Sequence, residues 1–194
     1  MITAKLKKLR KAMEKELNHK RYEHTLSVAY TAANLAMVHN SDTNSALIGG
    51  MLHDCAKCIS DNKLIAICEK HSLNISEVEM NNPSALLHAK VGAVLANDKY
   101  GINDEDILNA IKYHTTGRPN MSKLEKILYI ADYIEPGRKH APNLKQIRAM
   151  AYQDLDKTLL KILEDTLVYL TSSDGQIDPM TKETYEYYRK EILL

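Results

Sequence analysis

The sequence predicts an all-α fold, and three observations predict it. Apolar residues recur at three- and four-residue steps over long windows, the spacing that gathers them on one face of a helix. Ser, Asp, Asn and Pro stand ahead of several windows, where a helix start needs an acceptor or a preset φ. Only seven Gly and five Pro punctuate the 194 residues, and no stretch shows the alternation of a half-buried strand.

Residues 2 to 18 carry Ile2, Leu6, Leu9, Met13 and Leu17 with charges between them, which predicts an amphipathic helix. A second helix runs from about Arg21 to Val38 through Leu26, Val28, Ala29, Ala33 and Leu35, with His24 in its first turns. Ser41, Asp42, Thr43 and Asn44 offer N-caps to a third, which ends around His53-Asp54. Gly49-Gly50 inside it is costly unless another backbone comes close, and the helix bearing His24 is the expected neighbour. Asp61 can cap a helix containing Leu64, Ile65, Ile67 and Cys68. Asn82-Pro83 opens one that carries His88 with Leu87, Val91, Val94 and Leu95 and ends near Gly101. Asn103 or Asp104 begins a short helix through Ile107, Leu108 and Ile111 to His114, followed by a loop at 115–119. Ser122-x-x-Glu125 is a capping box for the helix that carries Asp132 and Glu135 near its end, where Pro136-Gly137 stops it. Asn143 starts the longest pattern, through Ile147, Leu155, Leu159, Ile162, Leu163 and Leu167 to Leu170. Asp178-Pro179 opens a last helix.

Lys and Arg number 26 against 25 acidic residues, a net charge of +1 that supplies no global field for nucleic acid or membrane. No apolar run approaches the roughly 20 residues of a spanning helix, and Met1–Arg10 lacks the apolar stretch of a secretory leader. Three cysteines without framework spacing suit a reducing compartment, so a cytoplasmic protein is expected. With no Phe or Trp and 11 Tyr, any stacking surface for a base must come from Tyr, His or Arg.

The chemistry centres on Gly49-Gly50-Met51-Leu52-His53-Asp54-Cys55-Ala56-Lys57. An ionisable pair at the inner end of an apolar helix is costly to bury unless something binds it. Neighbouring helical residues project about 100° apart, close enough to grip an ion between them. An imidazole nitrogen with a carboxylate oxygen suits Fe, Mn, Co or Zn better than Mg or Ca. The dipeptide alone is weak, because His-Asp occurs often by chance, and any single His is more often a hydrogen-bonded structural residue. Further His and Asp positions near helix ends strengthen it: His24, His88, His114 and Asp132.

With these positions the chain resembles the HD-domain superfamily of metal-dependent phosphohydrolases. More closely it resembles the YqeK-like bis(5'-nucleosyl)-tetraphosphatase (symmetrical) family. The matching pieces are Arg21-Tyr22-x-His24-Thr25, Leu52-His53-Asp54-x-Ala56-Lys57, Leu87-His88-Ala89 and Ala110-Ile111-x-x-His114-Thr115-Thr116-Gly117. The longest is Met121-Ser122-x-Leu124-x-Lys126-Ile127-x-Tyr129-Ile130-Ala131-Asp132-Tyr133-Ile134-Glu135-Pro136-Gly137-Arg138. The resemblance implies a single HD-type helical bundle over 1–194, with short loops, a core at about 18–140 and C-terminal helices at about 143–194. It implies one divalent transition metal, iron foremost with Mn or Co as alternatives, held by His24, His53, Asp54 and Asp132. His88 and His114 face the same pocket, ligating a second ion or, the favoured role, donating hydrogen bonds to substrate phosphate. Lys57, Thr116 and Arg138 are the implied phosphate partners, Arg because its fork matches paired oxygens. Asp54 orients the attacking water while a protonated His88 or His114 stabilises charge or protonates the leaving oxygen. The implied reaction takes diadenosine tetraphosphate and water to two ADP through a metal-activated water. The substrate or an ADP-like product is then the partner.

Two rival functions stand beside it: a broader HD nucleotide phosphohydrolase acting on nucleoside mono-, di- or triphosphates or a guanosine alarmone, and a non-catalytic nucleotide-binding module. A complete ligand set argues against the second. Cys55-Ala56-Lys57-Cys58 lacks the second pair of a structural zinc site and the βαβ setting of a redox motif, so Cys55 is expected as a small buried hydrophobe where the family usually has an apolar residue. His19, His39, His71 and His140 read as surface or capping residues, and Lys139-His140-Ala141-Pro142-Asn143 departs from the family pattern. The Lys-rich first helix reads as a solvated face over the core, and Tyr185, Tyr187 and Tyr188 as core or a homodimer contact.

Overall fold

The computed structural model describes residues 4–173 and 175–193, of which the last has no described side chain. Ile2, expected in the first helix, lies outside the described residues. The described chain is all-α: α1 (Ala4–Glu16), α2 (His19–Val38), α3 (Thr43–Leu52), α4 (Asp61–Lys70), α5 (Glu77–Asn81), α6 (Pro83–Asp98), α7 (Glu105–Lys112), α8 (Lys123–Ile134), α9 (Leu144–Ala151), α10 (Leu155–Ser172) and α11 (Pro179–Leu193). No strand occurs among the described residues, and none of the helices is long and apolar enough to cross a membrane.

The starts follow side-chain chemistry. Asp42, Asp104 and Ser122 each accept a backbone N–H in the first turn that follows, and Ser122 with Glu125 closes the expected capping box. Three local expectations change. Ser60, not Asp61, precedes α4, and Asp61 is its first residue, where a carboxylate favours the positive end of the helix. A short helix missing from the sequence reading, α5, starts on a second capping box made by Ser76 and Glu79. The long C-terminal pattern is two helices, because Asp154 caps a fresh start by accepting from the Lys157 N–H. The apolar spacing of α9 and α10 runs through this break, so periodicity alone did not reveal it.

Helix α2 lies against α3 and α8, α7 against α3 and α8, and α10 against α8, α9 and α11. Their shared core includes Leu35, Leu52, Ile111, Ile127, Leu128 and Ile130, each essentially inaccessible to water. A smaller cluster of Ala56, Leu64, Cys68, Leu87 and Val91 fastens α4 and α6 to the segment after α3. Leu6, Leu9 and Met13 of α1 are buried, so its apolar stripe covers the core as expected.

Gly50 sets how closely α2 and α3 approach. A Cβ there would lie 2.5 Å from Ala29 Cα and 3.0 Å from Ala29 N, backbone atoms that cannot yield. Gly49, by contrast, has only the Leu128 side chain nearby at 3.5 Å. We therefore expect Gly50→Ala to lower the urea midpoint by the equivalent of about 1–3 kcal/mol, the cost of overpacking. Gly49→Ala should leave stability unchanged or raise it by up to about 1 kcal/mol through helix propensity. Equal losses at the two positions would contradict the close approach.

Candidate metal centre

Five elements deliver side chains to one place. His24 comes from the second turn of α2, His53 is the residue that ends α3, and Asp54 follows it. His88 projects from α6, His114 follows α7, and Asp132 sits near the end of α8. The doublet is not inside a helix. It occupies tight turns held by Cys55 N–H to Leu52 O at 3.0 Å and Lys57 N–H to Asp54 O at 2.9 Å.

His24 Nε2 lies 3.0 Å from Asp132 Oδ1 and 3.8 Å from Asp54 Oδ2, and His53 Nε2 lies 3.4 Å from Asp54 Oδ2. One donor atom each from His24, His53 and Asp132 falls within 4.8 Å of the others, and the same holds for His53, Asp54 and His114. The structure thus brings together all four residues expected around an ion and adds His114 to them.

The ring protons follow from the outer partners. His53 Nδ1 is 2.7 Å from Gly50 O and His114 Nδ1 is 2.7 Å from Ile111 O. A carbonyl only accepts, so both rings carry N–H at Nδ1 and turn the Nε2 lone pair inward. His24 Nδ1 faces Glu135 Oε1 at 3.3 Å. The buried Nε2 atoms of His24 and His53 find no partner of hydrogen-bonding geometry among the described residues. His88 is the exception. Lys57 Nζ lies 3.3 Å from its Nδ1 and 3.5 Å from its Nε2, and two acceptors face Nε2, Asp54 Oδ1 at 3.2 Å and the lone pair of His114 Nε2 at 3.3 Å, which favours the ring proton on Nε2.

Burial works against the Asp54 carboxylate, but His53, His88 and His114 outweigh it and hold the group well below the usual carboxylate range. Burial likewise opposes ionisation of Asp132, and His24, His53 and His114 reverse the balance. Burial also disfavours a charged His53, yet Asp54 and Asp132 raise its pKa. The cluster therefore attracts positive charge, and a divalent ion would compete with protons for it. Orphaned imidazole nitrogens beside ionised carboxylates fit a transition metal by donor type and by position.

Burial pulls the His88 pKa down, and burial with the imidazoles of His53 and His88 pushes His114 down to about 3. Both shifts work against the imidazolium expected from the sequence. The cause is a dry setting already crowded with rings. His114 also spends its proton on Ile111 O, so its Nε2 presents a lone pair rather than a donor.

The expected phosphate partners are placed unequally. Arg138 Nη2 donates to Asp132 O at 2.8 Å and lies 3.2 Å from Asp132 Oδ1, at the edge of the cluster. Lys57 is half-buried and also donates to Ser84 O at 3.0 Å, tying it to the start of α6. Thr116 donates to Gly117 O at 3.0 Å, a bond within its own loop. Two residues were missed as site members although both stood in the quoted motifs. Arg21 Nη1 lies 2.6 Å from Asp54 Oδ2, and buried Glu135 meets His24. Helical spacing carried the signal, since each stands three residues from a site residue, His24 or Asp132.

The cysteines are free, and Cys55 is a buried thiol whose pKa burial pushes up to about 12. His39 and His71 end α2 and α4, and His140 is exposed in a groove beside Asn143 and Asp165. Tyr188 is core, accepting the Met121 N–H at 2.8 Å.

Comparison with known proteins gives these positions a context. The HD domain family matches residues 21–137. A Staphylococcus aureus protein named symmetrical bis(5'-nucleosyl)-tetraphosphatase is 40% identical over 185 residues, covering 94% of each chain. A Bacillus subtilis protein of the same name is 38% identical over 90% of this chain and 92% of its own. A crystal structure from Clostridium acetobutylicum, described as a predicted HD superfamily hydrolase involved in NAD metabolism, superposes with a TM-score of 0.91 at 43% identity, covering 95% of this chain and 97% of that one. A shared fold, a matched domain and near-complete coverage lead to one assignment: the chain belongs to the HD domain family, in the group of the symmetrical bis(5'-nucleosyl)-tetraphosphatases.

Proposed function

We propose that this chain is a metal-dependent hydrolase that cleaves diadenosine tetraphosphate symmetrically into two ADP. The observation that carries the reading is the meeting of His24, His53, Asp54 and Asp132 in a pocket where imidazole lone pairs face ionised carboxylates. The names of the relatives at 38–40% identity supply the substrate.

In this reading His24, His53, Asp54 and Asp132 hold one divalent transition ion, with iron as the expected identity and Mn or Co as substitutes. The bound ion lowers the pKa of water and withdraws charge from a phosphoryl oxygen. The protein does the rest by position. Asp54, fixed between Arg21 and His88, orients the attacking water through a carboxylate oxygen. His88 holds its proton at Nε2, aimed into the pocket, and donates it as a hydrogen bond to the phosphoryl oxygen on which charge grows. His114 lends its inward lone pair to the same pocket and keeps His53 and His88 in place by edge contacts, with ring centroids 5.0 and 5.1 Å away. Arg138, whose Nε has no acceptor among the described residues, and Arg21 face the polyphosphate with forked donors, and Lys57 adds a point charge. Thr116 is a phosphate contact only if its loop releases the bond to Gly117.

Anaerobic purification, metal analysis and chromatography of the products test the reading together. Each diadenosine tetraphosphate should give two ADP, and AMP with ATP, or released inorganic phosphate, would contradict it. His53→Ala should lose both the ion and turnover, and near-normal rates in that variant would refute the site. Arg138→Ala should keep its metal and raise KM by about tenfold to a hundredfold, the loss of one charge-assisted contact of roughly 1.5–3 kcal/mol. Loss of metal with unchanged KM would mean that Arg138 serves Asp132 rather than substrate.

A further inference from the structure

Glu135 is a buried carboxylate, 4% exposed, that the catalytic reading leaves without a task. It follows α8 directly, and each of its oxygens has a nitrogen neighbour. Oε1 lies 3.3 Å from His24 Nδ1, and Oε2 accepts the Gly137 N–H. Among the described residues no Lys or Arg side chain pairs with it; its ionisable partner is His24. The turn that carries it is fastened from outside. Arg148 of α9 donates to Ile134 O at 2.9 Å, Glu135 O at 2.7 Å and Arg138 O at 3.2 Å. Gly137 leaves the carboxylate its room, since a Cβ there would sit 2.9 and 3.1 Å from the two oxygens.

His24 stands between two carboxylates, Glu135 at Nδ1 and Asp132 at Nε2. A neutral imidazole has one proton to give. Placed on Nε2, it would lie beside Asp132 Oδ1, 3.0 Å away but outside hydrogen-bonding geometry, and would take that ring nitrogen away from an ion. Placed on Nδ1, it leaves the Nε2 lone pair free beside Asp132. His53 and His114 settle the same choice with a carbonyl three residues back in their own segment. His24 has its outer partner 111 residues away, in the turn after the helix that carries Asp132. A carboxylate partner makes the ring a stronger ligand than a carbonyl does.

We propose that Glu135 is a positioning residue that takes the His24 Nδ1 proton and so keeps Nε2 available to a cation shared with Asp132. Gly137 is the space this requires, and Arg148 holds the turn in place. The inference rests on His24 being a metal ligand, as proposed above.

Zn2+ is the probe, titrated into the metal-free protein against a chromophoric chelator. Long-range 1H–15N correlation of the Zn2+-loaded protein reports the His24 Nδ1–H. Glu135→Ala should weaken Zn2+ binding by about tenfold to a hundredfold and abolish the protected Nδ1–H signal of His24. Gly137→Ala, which retains the carboxylate but displaces it, should shift both readouts the same way by less, and it serves if Glu135→Ala does not fold. His24→Ala is the reference. If it weakens Zn2+ binding while Glu135→Ala and Gly137→Ala bind like wild type, the role of Glu135 is overturned and the site stands. Weaker binding with the His24 Nδ1–H signal intact also overturns it, because a merely structural loss gives that pattern. If His24→Ala itself binds Zn2+ normally, the reading of the site beneath the inference fails.

Discussion

Electron pairs that face one another out of reach of water must share a positive charge. His53 is 0% exposed and Asp54 2%, and around them the inward nitrogens of His24 and His53 point at carboxylate oxygens rather than at donors, while that of His114 lies 3.3 Å from His88 Nε2 and 3.8 Å from Asp54 Oδ1. In water such an arrangement would scatter. Here the outer nitrogen of each of these rings is already committed to Glu135, Gly50 O or Ile111 O, so the rings cannot turn away. Protons can supply the missing charge and a divalent ion supplies it better, since it meets several donors at once.

The fold exists around that constraint. His53, Asp54, His114 and Asp132 lie near the C-terminal end of a helix or in the turn after it, where spare carbonyls fix the His53 and His114 rings, and His24 and His88 stand in the second turns of α2 and α6. Gly50 lets α2 approach α3 closely enough for His24 to meet His53, their ring centroids 5.4 Å apart. The helices after residue 143 take part as well, because Arg148 secures the turn between Asp132 and Arg138. Arg21 and Arg138 stand at the edge of the cluster, both still partly open to solvent.

Much of this was legible in the sequence. Caps and apolar spacing located most of the helices, and ordered His and Asp positions named the cluster before any geometry was known. What escaped was chemistry that depends on neighbours distant along the chain. Glu135 reads as one more residue near a helix end until His24 arrives beside it from α2. Arg21 reads as an exposed helical cation until Asp54 is folded against it. The downward pKa shifts of His88 and His114 follow from burial among other rings, which no spacing announces. The break at Asp154 was hidden for another reason: a cap in the middle of an unbroken apolar pattern looks like an ordinary surface residue.

The central claim is that one cation joins side chains from three separate segments. Crystals grown anaerobically with Fe2+ and measured at the iron absorption edge test it most directly. The account predicts an anomalous peak about 2 Å from His24 Nε2, His53 Nε2 and a carboxylate oxygen each of Asp54 and Asp132. Iron bound elsewhere, or those four side chains in place around a site that stays empty at saturating Fe2+, would contradict it.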